Sequence, residues 1–203
     1  MRARLAIASA QRVVELREIE LKNKPEALLL ASPKATVPVL VLCNEQVIDE
    51  SLEIMQWALQ QNDPENWLKN DWSTQAQMII DWNDGEFKYF LDRYKYADRY
   101  PDFSQGEYRQ RAERFLAELE HRLVQHTYLC SDQFSLADAA TLPFIRQFAA
   151  VDSAWFELAP YKAVQRWLNE FVESKRFREV MGKYEPWKPG DIPINFDFKI
   201  PSG

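Results

Sequence analysis

An apolar run with a proline near its start places the strongest constraint on how this chain can fold. The run covers residues 36–42 (TVPVLVL), and after a turn a second short apolar stretch leads into 48–51 (IDES). Proline has no N–H to donate to a β ladder, so a strand that opens on a Val-Pro step can leave backbone groups free for a binding partner. Glu50 and Ser51 then predict the start of a helix. The pattern is strand, turn, strand, helix.

The composition excludes several classes of protein. Of the 203 residues, 46% are hydrophobic, which is enough for the core of one large or two small domains. No apolar run reaches the roughly 18 residues that cross a bilayer, and we see no signal peptide. The net charge of −6 argues against a nucleic-acid partner. The two cysteines predict a reducing, cytoplasmic compartment. The two cysteines and two histidines lie far apart in the sequence and give little support for a metal site.

Hydrophobic periodicity divides the chain into a β-containing part and a helical part. The first part is predicted to contain a helix over 2–11, strands over about 13–20, 38–42 and 46–50, a short helix after Lys24, and a helix from Ser51. Helical patterns then cover roughly 73–95, 104–126, 136–150, 161–173 and 175–184.

The polar, proline-containing segment at 62–66 (NDPEN) is the best candidate for a domain boundary. We therefore predict a first domain over 1–61, a linker over 62–72, an all-helical domain over 73–185 and a tail over 186–203. Within the tail, residues 194–200 (INFDFKI) alternate with period two, which is the cleanest strand pattern in the chain. We favour an extended tail that covers apolar surface over a paired strand.

Two interpretations are open for the Val-Pro step, and two for the Glu50–Ser51 pair. Val37–Pro38 is either a trans step at a strand edge, which general statistics favour, or a cis step that turns the Val37 N–H and C=O toward a peptide-like ligand. Ser51 either only caps its helix or, with the first helical N–H groups, binds a carboxylate while Glu50 binds an ammonium group. The end of an α-amino acid carries both of those charges.

A second motif predicts structure rather than function. Ser135 and Asp138 form the pattern of a capping box at the start of a helix, and Phe134 precedes them as a candidate hydrophobic staple. Neither Cys43 nor Cys130 has a sequence neighbour that would lower the pKa of its thiol, so neither is a strong candidate nucleophile.

Together these segments resemble the cytosolic glutathione S-transferase family. Residues 32–40 (SPKATVPVL) look like its loop into the third strand, 48–54 (IDESLEI) like its glutathione motif, and 134–138 (FSLAD) like the capping box of its helical domain. Residues 21–26 (LKNKPE) are similar to the omega class. The resemblance implies an α/β thioredoxin-like N-terminal domain, an all-α helical-bundle C-terminal domain and a homodimer.

The resemblance also implies roles for single residues. Val37, before Pro38, would pair through its backbone with the cysteinyl part of glutathione. Glu50 and Ser51 would hold the γ-glutamyl end, and Lys24 would reach the glycine carboxylate. Glutathione would be a substrate, and no metal is implied.

One departure from the family concerns the start of the chain. In the family a first strand and a catalytic Cys, Ser or Tyr precede the first helix, whereas here that helix-like segment begins at Met1. We therefore expect the nucleophile to precede Met1 and the first domain to be truncated, without its first strand. The missing pairing could come from residues upstream, which we favour, from a rearrangement or partner chain, or from 194–200.

The function implied is the transfer of thiols or the conjugation of glutathione to small electrophiles or disulfides, in which a thiolate of the protein resolves mixed disulfides with glutathione. We expect this activity to be impaired in the chain as given, because the nucleophile is absent from it. The alternative is a non-catalytic adaptor with the same fold that binds a protein partner through its helical part.

Overall fold

The computed structural model of the chain describes residues 1–69 and 73–197. They fall into two compact units. The first unit contains Met1–Glu65 and the described residues from Lys175 onward, and the second contains the described residues of Asn66–Ser174. The division at Glu65 falls inside the predicted linker. No helix in the described ranges is both long enough and apolar enough to cross a membrane.

The first unit is an α/β structure with short strands. It begins with α1 (Arg2–Ser9), β1 (Val14–Leu16), α2 (Glu26–Ala31), β2 (Leu40–Val41), β3 (Val47–Ile48) and α3 (Ser51–Gln61). Helices α1 and α3 pack against each other, and their facing side chains are almost completely buried: Leu5, Ala6, Ile54, Met55 and Ala58. The small alanines allow the two helices to approach closely, so this contact forms the core of the unit.

The three strands are shorter than the sequence predicts. The predicted strand over 13–20 is confined to Val14–Leu16, and those over 38–42 and 46–50 to Leu40–Val41 and Val47–Ile48. Pro38 cannot extend β2 because it has no N–H to donate. At the other end, a turn closed by the Glu45 N–H on the Leu42 carbonyl (2.9 Å) ends the ladder.

The second unit is all-helical. It contains α4 (Ser73–Trp82), a π-helical turn (Asn83–Phe87), α5 (Lys88–Lys95), a 3₁₀ turn (Ala97–Arg99), α6 (Gln105–Gln125), α7 (Leu136–Ala149), α8 (Ser153–Leu158) and α9 (Lys162–Glu173). Its core includes aromatic rings that pack at tilted angles, with the Phe87 centroid 4.7 Å from Phe115 and 5.8 Å from Phe148. Helix α8 was not predicted, because its six residues are too few to show a helical period. The Asp152 carboxylate caps it by accepting from the Trp155 N–H (3.0 Å).

The C-terminal part of the chain returns to the first unit. It contains α10 (Lys175–Val180), which packs on α1, and β4 (Ile194–Phe196). The structure therefore groups residues 175–185 with the first unit and not, as predicted, with the helical domain. Strand β4 pairs antiparallel with β1, with Leu16 opposite Ile194. The favoured interpretation of an unpaired tail is wrong for these residues. Residues 198–200 of the predicted strand lie outside the described ranges.

Several side chains hold this C-terminal segment in place. The Arg4 guanidinium of α1 donates to Glu18 (2.6 Å) and lies over the ring of Phe196, 5.9 Å from its centroid. Further along, the backbone N–H of Trp187 donates to the Glu18 carbonyl (2.8 Å). The Arg17 guanidinium lies over the Trp187 ring. Strand pairing, a backbone hydrogen bond and cation–ring contacts thus connect the segment to the N-terminal part of the first unit.

The burial of Phe196, whose side chain is 1% exposed, predicts that this segment contributes to stability. We expect Phe196→Ala to lower the free energy of unfolding by about 3 kcal/mol, through lost burial and the cavity it leaves. Chemical denaturation measures the change. Ile192→Ala, at a side chain 88% exposed, is the control and should change stability by less than about 0.5 kcal/mol. Equal effects of the two substitutions would contradict the described packing.

Candidate functional site

The β2–β3 hairpin places the Val-Pro step and the start of α3 at the same end of the hairpin. Leu40 lies opposite Ile48 and Val41 opposite Val47. Continuing this register outward places Pro38 opposite Glu50, so the Val-Pro step and the start of α3 lie at the same end of the hairpin. The sequence predicted each group separately, and the antiparallel register is what joins them.

The Val37–Pro38 peptide bond is cis. This is the interpretation that general statistics disfavour. The Val37 side chain is 46% exposed, and within the described ranges neither its N–H nor its C=O has a hydrogen-bond partner. A backbone donor and acceptor are thus available at this end of the hairpin, as a strand-like ligand requires.

Helix α3 begins without a side-chain cap. Its N-cap residue is Glu50 and not Ser51, which is the first residue of the helix, and the Glu50 side chain does not bind the helix end. In the described part of the chain, the Ser51 hydroxyl and the N–H groups of Ser51, Leu52 and Glu53 have no acceptor. Unsatisfied N–H groups and the helix dipole make such an end suitable for an anion.

A lysine that the sequence analysis gave no role lies beside this helix end. The Lys34 ammonium donates to Glu50 (2.7 Å) and to Asp49 (2.9 Å), and the Ser32 hydroxyl donates to Asp49 (2.8 Å). The hydrogen bonds to Glu50 and then Asp49 raise the pKa of Lys34, and those from Lys34 and Ser32 lower the pKa of Asp49. Only the register of the hairpin reveals this cluster, because sixteen positions separate Lys34 from Glu50.

The remaining candidate, Lys24, lies in the loop before α2. Its side chain is exposed, and it forms no hydrogen bond or ion pair with any residue of the described ranges. The structure therefore groups Val37, Pro38, Glu50 and Ser51 at one end of the hairpin and shows no contact between them and Lys24.

The two cysteines differ in environment. Cys43 is exposed in the turn between β2 and β3, whereas Cys130 is buried. Burial, with the nearby Asp138 carboxylate as a smaller cause, raises the pKa of Cys130 to about 11. Its thiol is therefore protonated at neutral pH and is a poor nucleophile. Among the described residues, no group of three or more His, Cys, Asp or Glu side chains could hold a metal ion.

Asp138 is a fully buried carboxylate at the start of α7. With Ser135 it forms the capping box, accepting from the Ser135 N–H (3.0 Å) and hydroxyl (2.7 Å). Its other oxygen accepts from the Leu129 N–H (3.0 Å) and the Trp167 indole (3.1 Å). Burial raises the pKa of Asp138 to about 6, although these hydrogen bonds act to lower it. The carboxylate therefore joins α7, α9 and the preceding loop.

Family models match both units of the chain. Residues 1–67 match the N-terminal domain of glutathione S-transferase, and residues 74–170 match its C-terminal domain. The chain belongs to the glutathione S-transferase family. The resemblance drawn from the sequence is thus confirmed, as is the combination of a thioredoxin-like N-terminal domain with a helical C-terminal domain. The omega-like subdivision stays a prediction.

Solved structures of the family share the fold. A class Gtt2 glutathione S-transferase of Vibrio parahaemolyticus is 22% identical, with a TM-score of 0.71 over 88% of this chain and 90% of that chain. A glutathione transferase of Pseudomonas putida, crystallised with one glutathione disulfide per subunit, is 17% identical, with a TM-score of 0.74 over 88% of this chain and 84% of that chain.

A curated relative matches part of the chain. It is the disulfide-bond oxidoreductase YghU of Escherichia coli K12, which is 30% identical over 112 residues. The match covers 53% of this glutathione S-transferase chain and 36% of YghU, so it spans only about a third of that relative.

The raised pKa of Asp138 predicts a specific dependence of stability on pH. The folded state holds this proton up to about pH 6, whereas the unfolded chain releases it near 3.8. The contribution of Asp138 to stability is therefore fully present below 3.8 and is lost as the pH rises through about 6. We expect the difference in unfolding free energy between the native chain and Asp138→Asn to fall by about 2 kcal/mol between pH 4 and pH 7.

Denaturation at a series of pH values measures this difference. Asp132→Asn is the matched control, because hydrogen bonds from the backbone and hydroxyl of Thr127 lower the pKa of Asp132. The contribution of Asp132 to the free energy of unfolding should not decrease between pH 4 and pH 7. A pH dependence of the same sign and size for both substitutions would contradict the role of burial at Asp138.

Proposed function

We propose that this chain binds glutathione at the end of the β2–β3 hairpin and promotes thiol transfer or conjugation of glutathione to small electrophiles or disulfides. The observation that carries the proposal is the uncapped start of α3, where the Ser51 hydroxyl and free N–H groups lie next to the Glu50 carboxylate. Together they offer donors for a carboxylate and an acceptor for an ammonium group, which are the two charges of a γ-glutamyl end.

The contact between Lys34 and Glu50 supports the assignment of the ammonium side. Glu50 already accepts from one ammonium group at 2.7 Å, so its carboxylate has the geometry that such a donor needs. A carboxylate has room for more than one donor. The amino group of glutathione would therefore bind Glu50 beside Lys34 or in its place, while the ligand carboxylate binds Ser51 and the end of α3.

The exposed backbone of Val37, beside Pro38, would bind the middle of the ligand. Its N–H and C=O would pair with the cysteinyl residue of glutathione as an added strand does. Lys24 would bind the glycine carboxylate, which requires its loop to approach the ligand. Each group acts by fixing the position of the ligand and thus of its thiol.

The class of reaction is supported by the relatives. YghU is named as a disulfide-bond oxidoreductase, and the P. putida structure contains glutathione disulfide. In the exchange we propose, the glutathione thiolate attacks one sulfur of a disulfide, a new S–S bond forms, and the other sulfur leaves as a thiolate. An omega-like subclass and a homodimer are further parts of the proposal, and both rest on the family resemblance.

Substitutions at the helix start test the binding site. We expect Glu50→Gln and Ser51→Ala each to weaken glutathione binding about tenfold, since each removes a hydrogen bond to a charged group. Isothermal titration calorimetry measures the affinities. Glu53→Gln, which removes a charge from the same turn of α3, should change the affinity by less than about twofold. If the intact chain does not bind glutathione at all, the non-catalytic adaptor becomes the better hypothesis.

Turnover with a mixed disulfide of glutathione and a small thiol tests the reaction. We expect kcat/KM to fall about tenfold in Ser51→Ala, because the same contact positions glutathione for exchange. Cys43→Ser should leave turnover unchanged, since the reacting thiolate belongs to glutathione. A chain that binds glutathione normally but has no turnover would refute the reaction and leave the binding site intact.

A further inference from the structure

A lysine in the loop before β2 connects that loop to two carboxylates at the entry to α3. The Lys34 ammonium donates to Asp49 Oδ1 (2.9 Å) and to Glu50 Oε1 (2.7 Å). We call these two contacts the Lys34 bridge. The second oxygen of Asp49 accepts from the hydroxyl of Ser32 (2.8 Å), a residue that is 1% exposed. Three side-chain hydrogen bonds therefore join the loop over 32–37 to the residues that lead into α3.

The same loop holds one residue in an uncommon backbone conformation. Ala35 has a φ of +51°, in the left-handed region that residues other than glycine seldom adopt. Its N–H donates to the Ser32 carbonyl (2.9 Å), which closes a tight turn that contains Lys34. A strained residue of this kind persists where the surrounding contacts determine the backbone. The bonds from Ser32 and Lys34 to Asp49 are contacts that can hold the turn in this conformation.

The loop and the helix start each carry one half of the proposed glutathione site. Val37 ends the loop and offers its backbone N–H and C=O, whereas Glu50 and Ser51 offer the groups for the γ-glutamyl end. Lys34 lies three residues before Val37 and binds Glu50 directly. The bridge therefore determines how far apart the two halves of the site lie.

An ordinary surface ion pair is the simpler account of Lys34. The side chains of Lys34 and Glu50 are 52% and 59% exposed, and a single exposed pair contributes little to stability. Lys34 also binds Asp49, however, whose side chain is only 23% exposed and is held at its other oxygen by Ser32. This second contact anchors the lysine, so Lys34 can keep its place while a ligand ammonium binds the other oxygen of Glu50.

We propose that Lys34 is a positioning residue, which holds the loop over 32–37 against the start of α3 and thereby fixes the spacing between the two halves of the site. The proposal rests on the proposed function, since the ligand is glutathione. Lys34 does not bind the ligand and keeps its contacts with Asp49 and Glu50 in the complex. Because the loop is already ordered before glutathione arrives, binding costs less conformational entropy.

Calorimetric titration with glutathione tests the bridge from both sides. We expect Lys34→Met and Asp49→Asn each to weaken binding about fivefold, because each breaks the bridge. Two other accounts predict the opposite sign for one of these variants. If Lys34 only attracted the anionic ligand, Asp49→Asn would strengthen binding by removing a negative charge. If Lys34 competed with the ligand for Glu50, Lys34→Met would strengthen it.

Three further variants separate the bridge from general effects of charge. Lys34→Arg keeps a cation that can contact both carboxylates, and it should restore the affinity to within about twofold of the intact chain. Lys183→Met makes the same substitution at an exposed lysine of the first unit that has no ion pair in the described ranges, and it should also stay within about twofold. The double variant Lys34→Met/Asp49→Asn should bind about as tightly as Lys34→Met alone, since both changes break one bridge.

Amide hydrogen exchange in the ligand-free chain shows whether the effect acts through the loop. The Ala35 N–H should exchange about fivefold faster in Lys34→Met and in Asp49→Asn than in the intact chain or in Lys183→Met. The reason is that the turn opens more often once the bridge is broken. Thermal unfolding checks that every variant keeps the fold.

The outcomes distinguish a failure of this proposal from a failure of the proposed function. If the intact chain binds glutathione and either Lys34→Met or Asp49→Asn binds it equally well or more tightly, the positioning role is refuted and the binding site stands. Weaker binding with unchanged exchange at Ala35 would also refute the positioning role, because the loop would not be involved. If the intact chain binds no glutathione, the proposed function fails and the positioning role fails with it.

Discussion

The antiparallel register of the β2–β3 hairpin is the constraint on which the candidate site depends. Because Leu40 lies opposite Ile48, the Val37–Pro38 step and Glu50 lie at one end of the hairpin, and Lys34 can reach Glu50 and Asp49. A slip of the register by one residue would turn the side chains of one strand to the opposite face. The tight turn at Glu45 fixes the register, so a structural feature far from the ligand groups determines their relative position.

The sequence was informative wherever a motif acts within a few residues. The proline step, the start of α3 and the Ser135–Asp138 box are local, and each could be located from residue types and spacing alone. The same holds for the division into an α/β part and a helical part, since periodicity is a local property. The bounds of the strands were less accurate, because two- and three-residue strands depend on their partners and not on their own pattern.

What the sequence could not give were contacts between distant segments. Lys34 was visible in its motif but had no assigned partner, and the pairing of β4 with β1 joins positions about 180 residues apart. Arg4 shows the reason. It is an ordinary helical arginine by sequence, yet it binds Glu18 and lies over Phe196. Such contacts arise only when the chain has folded back on itself, and no local period reports them.

The start of α3 offers binding groups for two opposite charges of one ligand. At the start of α3, an acidic side chain stands next to a helix end that carries free donors, so a ligand with both charges, such as an amino-acid end, gains from both groups at once. An uncapped helix start leaves backbone donors unsatisfied by the protein, so the stability of the helix alone does not account for this arrangement. Local costs of this kind are typical of sites where a ligand completes the interactions.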